Sequence, residues 1–422
     1  MKAKTYLNIA FVLASTLTSV AAQAIDQITM TREARIQAFL RETKSAKDIY
    51  DGSIRSPKSV AFSIDGSKLY INSLEGSQTV VYDWPTLRRR KVINHLFNSK
   101  NQNLFRGETT VFNYPYYTEP SSGLNVFRGK PVEMAFSHGG KYLWISYYRR
   151  DYDAFAQSPS AVAIVDTATD DIVRVIPTGP IPKYIAISPD SRTAVITHWG
   201  DNTLGVIDIS SNSVNDFRYT DLLTVERQLS QADKANTDRD RTCGFCLRGT
   251  TFSPDSRYLF VARMGGGGIA GFDMATKKYM GTALSIQPTP RHIVVSPDQK
   301  NLIVTSNVSG YITSIKITDM VSVLEKAAGR RVHGLTKREV SVGAGARTIE
   351  VDPTGQIAYA AVNDGVKVVA VDLQSMKKIG EVSLDPYPVG LAVSPDGNHV
   401  VVTSQGHSGK GGNAVNIVRV QK

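Results

Sequence analysis

Cysteine is almost missing from this chain of 422 residues, and Cys243 and Cys246 are its only two. A disulfide-stapled framework is therefore excluded, so the core must be held by apolar burial. The seven histidines (His95, His138, His198, His292, His333, His399 and His407) include no pair at i, i+4, so the helical zinc signature is absent. No G-x-S-x-G nucleophile elbow and no C-x-x-C-H haem-attachment sequence occurs. The glycine run Met264-Gly265-Gly266-Gly267-Gly268 lacks a following Lys-Ser/Thr, which argues for a tight turn rather than a phosphate loop. Long apolar runs are lacking except for Leu7 to Val20, which is short for a membrane span. Lys2 and Lys4 precede that run and Ala22-Gln23-Ala24 follows it, the pattern of a cleaved signal peptide over residues 1–24. The expectation is a periplasmic or secreted protein that starts at Ile25, with no transmembrane anchor after signal cleavage.

Acidic residues are also in short supply. There are 38 against 49 basic ones, a net charge of +11. Such an excess favours acidic partners, or serves solubility alone.

What the chain has in abundance is one repeated phrase. Seven copies of a Ser-Pro-Asp-Gly-like turn each lie between two short apolar runs. They begin at Ser63, Ser137, Ser188, Ser253, Ser296, Asp352 and Ser394. Pro presets φ for a turn, Asp bonds its own backbone, and Gly tolerates positive φ. Seven residues after every anchor a strand core begins, as in Tyr70-Ile71-Asn72-Ser73 or Val401-Val402-Thr403-Ser404. A third strand ends near Asp83, Asp208, Asp273 or Asp372, and a fourth apolar run follows. Four strands in each of seven units predict an all-β, seven-bladed β-propeller over residues 57–422. Residues 25–56 form a prelude. Thr31 to Arg41 has helical composition, and residues 47–55 are expected to supply the outer strand that the last unit lacks.

The repeat resembles the YVTN-type propeller repeat of secreted and periplasmic bacterial proteins, with YncE-like seven-bladed rings among them. The stretch that names that family corresponds to strand two of each copy here. The resemblance spans roughly residues 57 to 420 and implies fold rather than function. It is similar, too, to the propellers of lactonases acting on sugar lactones and of quinone- or haem-linked oxidoreductases. Those activities need a metal-ligand set or cofactor attachment that no motif here supplies, so neither a cofactor nor a catalytic residue is identified.

Alternate loops of a four-stranded meander share one face, and strand one lies innermost. Five residues before each anchor stand Lys58, Val132, Lys183, Arg248, Arg291, Arg347 and Val389. Five of these seven are cationic and should crowd the axis. Converging Arg groups suit bidentate carboxylate or phosphate binding. Alternatively each pairs with a neighbouring carboxylate such as Glu133 or Glu350. His292 and His198 are expected on the same face. Tyr147 and Arg149 are placed there by the insertion after strand two of the second unit, and aromatics at 112–117 by a long loop. The cysteine pair, two residues ahead of Arg248, admits a loop-stiffening disulfide, a redox pair, or a metal site completed by His198, Met264 or His407. Three functions stay open: a monomeric binding or scaffold protein for an anionic small molecule or envelope partner, a propeller enzyme, and a single-stranded nucleic-acid binder.

Overall fold

A computed structural model describes residues 24–42, 47–106, 120–229, 237–406 and 412–422. The strands form seven blades arranged in a ring. Blade 1 is the meander Pro57–Phe62, Lys68–Ser73, Gln78–Asp83 and Arg88–Asn94. The first strands of blades 2 to 7 are Phe127–Ser137, Pro182–Ile187, Leu247–Phe252, Pro290–Val295, Ala346–Val351 and Pro388–Val393. Each first strand touches those of the next and previous blades, and the last touches the first, which closes the circle.

The repeated turns owe their regularity to one hydrogen-bonded device. The anchor serine accepts the backbone N–H of the residue five places on, at 2.9 Å for Lys68, Thr193 and His399 and 3.0 Å for Asn301. It donates to the turn aspartate at 2.5 Å in Ser63–Asp65, Ser188–Asp190, Ser296–Asp298 and Ser394–Asp396. In blade 6 the anchor is Asp352, which accepts the Ile357 N–H directly at 2.9 Å. The fourth turn position is left-handed in all seven units, including the non-glycine residues Ser191, Ser256 and Gln299. Blade 2 varies the theme, with Ser137 accepting Trp144 Nε1 at 2.9 Å.

The apolar side chains of facing sheets meet between neighbouring blades. Ile357, Tyr359 and Val368 of blade 6 pack on Leu391, Val400 and Val418 of blade 7, and six similar clusters fill the other junctions. This explains why strands two and three are apolar on both faces.

Closure differs in detail from the expectation. The segment expected to be helical, Thr31 to Arg41, contributes a strand, Thr29–Gln37. It pairs antiparallel with the last strand, Ala414–Gln421, from Thr29↔Gln421 to Gln37↔Ala414. Ile28, Met30, Ala34 and Ile36 recur every second residue or a multiple of it, and Ile28, Met30 and Ile36 are buried. An unfilled sheet edge thus outweighs helical composition. The stretch expected to close the ring supplies only Asp48–Tyr50, a fifth strand running parallel on the outside of Thr29–Gln37. Leu222 and Leu223 lie on the fourth strand of blade 3, Arg218–Thr224. After the third strand of blade 5 the chain forms a helix, Ile317–Ala327.

Ser296→Ala removes both halves of an anchor device and leaves the Asn301 N–H without its acceptor. We expect a loss of about 1–2 kcal/mol in urea denaturation. A change within error of zero would show that the device is not what holds the turn.

Candidate functional site at the channel mouth

All seven residues aligned at the channel mouth sit at a break in the strand-one ladder. Register shifts span Pro57/Val60, Pro131/Met134, Pro182/Tyr184, Leu247/Thr250, Pro290/His292, Ala346/Ile349 and Pro388/Gly390. Each gap contains the aligned residue, Lys58, Val132, Lys183, Arg248, Arg291, Arg347 or Val389. A bulge leaves a residue unpaired and re-aims its side chain. Proline stands just before the aligned residue in five blades, and in four of them it is the first residue of the strand, a position that need not donate to the ladder. The preceding residue has a left-handed φ in six blades: Ser56, Ile181, Cys246, Thr289, Gly345 and Tyr387. For Ile181 and Thr289, both β-branched, that conformation is costly, so the inward turn is held by its surroundings. Gly249 and Gly390, just after the bulged residues of blades 4 and 7, have no room for a side chain. A Cβ would lie 2.7 Å from Arg291 O and 2.4 Å from Lys58 O respectively.

The five cations fall into two groups. On the side of blades 3 and 4 they are matched. Lys183 Nζ lies 3.2 Å from Asp240 Oδ1, 4.1 Å from the centre of the Tyr148 ring and 5.3 Å from that of Trp199. Arg248 reaches across the axis to Glu133 of blade 2 at 2.5 Å. On the side of blades 5, 6 and 1 they are not matched. Arg347 donates to Tyr387 Oη at 3.1 Å, and Arg291 to Met264 Sδ at 3.2 Å. Among the described residues, Lys58, Arg291 and Arg347 have no carboxylate within salt-bridge distance. Burial pushes the Arg291 and Lys58 pKa values well down, and the neighbouring Arg347 and Arg248 charges add to the effect. Burial likewise lowers Lys183, to about 8, against the opposing pull of Asp240. These mutual influences show that the charges do converge.

One to three residues after Lys183, Arg291 and Arg347 stand Tyr184, His292 and Glu350. Tyr184 Oη of blade 3 meets His292 Nε2 of blade 5 at 2.7 Å, a second bond across the axis. His292 Nδ1 accepts the Ile349 N–H at 3.1 Å, and burial lowers its pKa to about 3, so the ring is neutral at physiological pH. Glu350 accepts the Val393 N–H at 2.8 Å, and burial raises its carboxyl to about 7.

Several expected site residues lie elsewhere. Tyr147 is fully buried between blades 1 and 2, with its hydroxyl 2.9 Å from His95 Nδ1, because its place in the strand points it into the sheet interface. Its neighbour Tyr148 is the one at the mouth. Arg149 donates to the carbonyl of Ala154 at 2.9 Å, and its guanidinium lies 5.2 Å from the centre of the Tyr148 ring. His198 is fully buried in blade 3, where Nε2 accepts the Gly179 N–H at 3.1 Å and Nδ1 meets Thr203 Oγ1 at 2.8 Å. Both nitrogens are engaged within the blade, which leaves neither for a ligand. Cys243 and Cys246 form a disulfide, which leaves no thiolate for a metal. Met264 does reach the mouth, as the sulfur beside Arg291. His407 and the aromatics at 112–117 lie outside the described residues. Glu133 pairs with a mouth cation as one expectation had it, whereas Glu350 instead binds backbone. Asp240, Trp199 and Tyr387 were not singled out in the sequence, and Tyr148 was expected only as part of the aromatic insertion at 147–152. Tyr148, Trp199 and Tyr387 flank strands at fixed distances from the anchors, and aligning those offsets would have found each of them.

Glu350 sets a pH dependence. Its folded pKa lies above its unfolded value, so the folded state holds the proton more tightly. Stability from this group is full below about pH 4.5 and is lost as pH rises through about 7. We expect wild type to lose about 1–3 kcal/mol relative to Glu350→Gln between pH 5 and pH 8. Superimposable urea-stability profiles for the two proteins would contradict that assignment.

Comparison with known proteins adds the family. A search of curated proteins finds no match. Hydrazine synthase of Kuenenia stuttgartiensis is similar in structure, with a TM-score of 0.60 at 16% identity over 90% of this chain and 99% of that one. The Cps50 (Swd1) β-propeller domain of Myceliophteria thermophila is similar too, with a TM-score of 0.60 at 11% identity over 87% and 97%. At such identities the likeness is one of fold alone. The family described as "Lactonase, 7-bladed beta-propeller" matches residues 160–410, which is more than half of the sequence. Together with seven closed blades, that match means that the chain belongs to the seven-bladed β-propeller lactonase family.

Proposed function

We propose that the channel mouth binds a small anion on the side of Lys58, Arg291 and Arg347. The carrying observation is that these three converging cations lack a carboxylate among the described residues, whereas Lys183 and Arg248 each have one. Buried like charges are costly unless neutralised, and an anionic ligand supplies the neutralisation. Two guanidinium groups favour a carboxylate or phosphate with paired oxygens. Tyr387 flanks the same side, and Trp199 and Tyr148 offer apolar faces opposite. In this reading the protein is an exported, YVTN-type periplasmic or secreted propeller that works as a monomer. No helix among the described residues is long and apolar enough to cross a membrane.

The family match favours a second reading, in which the bound anion belongs to a lactone that is hydrolysed. Glu350, with its carboxyl near pH 7, has the right character for a general base towards water. Attack on the lactone carbonyl would open the ring to a hydroxy acid, with the channel cations holding the negative charge.

The double variant Arg291→Ala/Arg347→Ala should keep its circular dichroism spectrum. Its affinity for a panel of sugar phosphates and aldonates, measured by calorimetry, should fall about a hundredfold or more. Equal affinity in the double variant would refute the anion site. Turnover of an aldonolactone lost in Glu350→Gln with binding retained would establish the hydrolase. Salt-sensitive retention on single-stranded DNA, with no small anion bound, would point to nucleic acid instead.

A further inference from the structure

The first described residues are not loose. The Ile28 N–H donates to Ile379 O at 2.9 Å, and the Ile25 side chain packs on the cluster between blades 6 and 7. Gly380 makes room for this seat, since a Cβ there would lie 2.9 Å from Ile28 Cγ1. The backbone nitrogen of Ile25 lies 3.3 Å from Asp372 Oδ2.

Asp372 closes the third strand of blade 6 and is fully buried. Its Oδ1 accepts the Ser375 N–H and hydroxyl, both at 2.6 Å. For Oδ2 the Ile25 nitrogen is the hydrogen-bond donor among the described residues. The nearby cations are occupied or turned away. Arg338 donates to the carbonyls of Leu373 and Gln374, Lys422 pairs with Asp352 at 2.6 Å, and Lys377, opposite Asp372 in the ladder, is exposed. Among the described residues a fully buried carboxylate is thus served only by neutral donors, although a buried charge normally demands an opposite one.

The sequence places a cleavage pattern at this spot. Ala22-Gln23-Ala24 presents small residues at the positions that a signal peptidase reads, and the bond that follows them is Ala24–Ile25. We propose that hydrolysis of this bond creates the missing cation: the α-ammonium of Ile25 becomes the buried ion-pair partner of Asp372. Water supplies the hydroxyl to the Ala24 carbonyl and a hydrogen to the Ile25 nitrogen. Near pH 7 the released carboxyl loses its proton and the amine gains one. A neutral N–H···O bond is thereby replaced by a charge-assisted one, which is about twice as strong. Maturation locks the start of the chain onto blade 6, immediately before the strand that closes the ring.

The test is made on full-length protein expressed with its own leader and recovered from the bacterial envelope. Intact mass and N-terminal sequencing should give a chain beginning at Ile25. Its thermal midpoint should exceed, by several degrees, that of a form carrying Gln23-Ala24 ahead of Ile25. Asp372→Asn should abolish this difference. The Ile25 α-amine should react with an acylating reagent at pH 8 about tenfold more slowly in wild type than in Asp372→Asn. If Asp372→Asn does not fold, the mature and extended forms, both with Asp372 intact, still decide the matter. A start at any other residue, or equal midpoints for the two forms, overturns the proposal.

Discussion

Everything at the axis depends on the ladder between Thr29–Gln37 and Ala414–Gln421. Each blade buries its apolar faces only against its neighbours, so a ring with one loose edge exposes a sheet face and a row of unpaired backbone groups. Closure also sets distance. The first strands converge because seven blades share one circle, and only then do residues from blades 1, 5 and 6 feel one another's charge. The cross-axis bonds Tyr184–His292 and Arg248–Glu133 follow from the same convergence.

The site is therefore a product of architecture more than of local sequence. The bulge at the start of strand one recurs in all seven blades, whatever residue occupies it, and in blades 2 and 7 that residue is valine. The fold supplies seven inward positions, and the sequence has filled five with cations. Acidic residues then divide the ring. Asp240 and Glu133 bond the cations of one side, whereas among the described residues those beside Tyr387 and Met264 have no carboxylate within bonding distance and feel Glu133 only from afar. The neutral His292 and half-neutral Glu350 add little opposing charge near pH 7.

Much of this was legible in the sequence because the repeat is strict. The anchor turns, the strand offsets and the five cations were all read from spacing, and the serine device explains why that spacing cannot drift. What escaped was whatever spacing does not encode. Thr31 to Arg41 has good helix formers, yet a free edge elsewhere in the chain claims it for a strand. Tyr147 and Tyr148 are adjacent, and only the pleat decides which one faces the core. His198 looks like a ligand until Thr203, Thr178 and Gly179 are seen around it. Asp240 comes to Lys183 from a loop well outside the repeat, where no alignment of copies would seek it.

The pairing of Thr29 with Gln421 joins nearly the two ends of the sequence. While a ribosome is still adding blades, the early strand has no mate, and the ring stays a partial arc. Closure is the last event and cannot happen before the final strand is free. The contact that commits the ring is therefore also the one that spans the longest stretch of chain, so any truncation inside either strand should cost the closure of all seven blades rather than the loss of one.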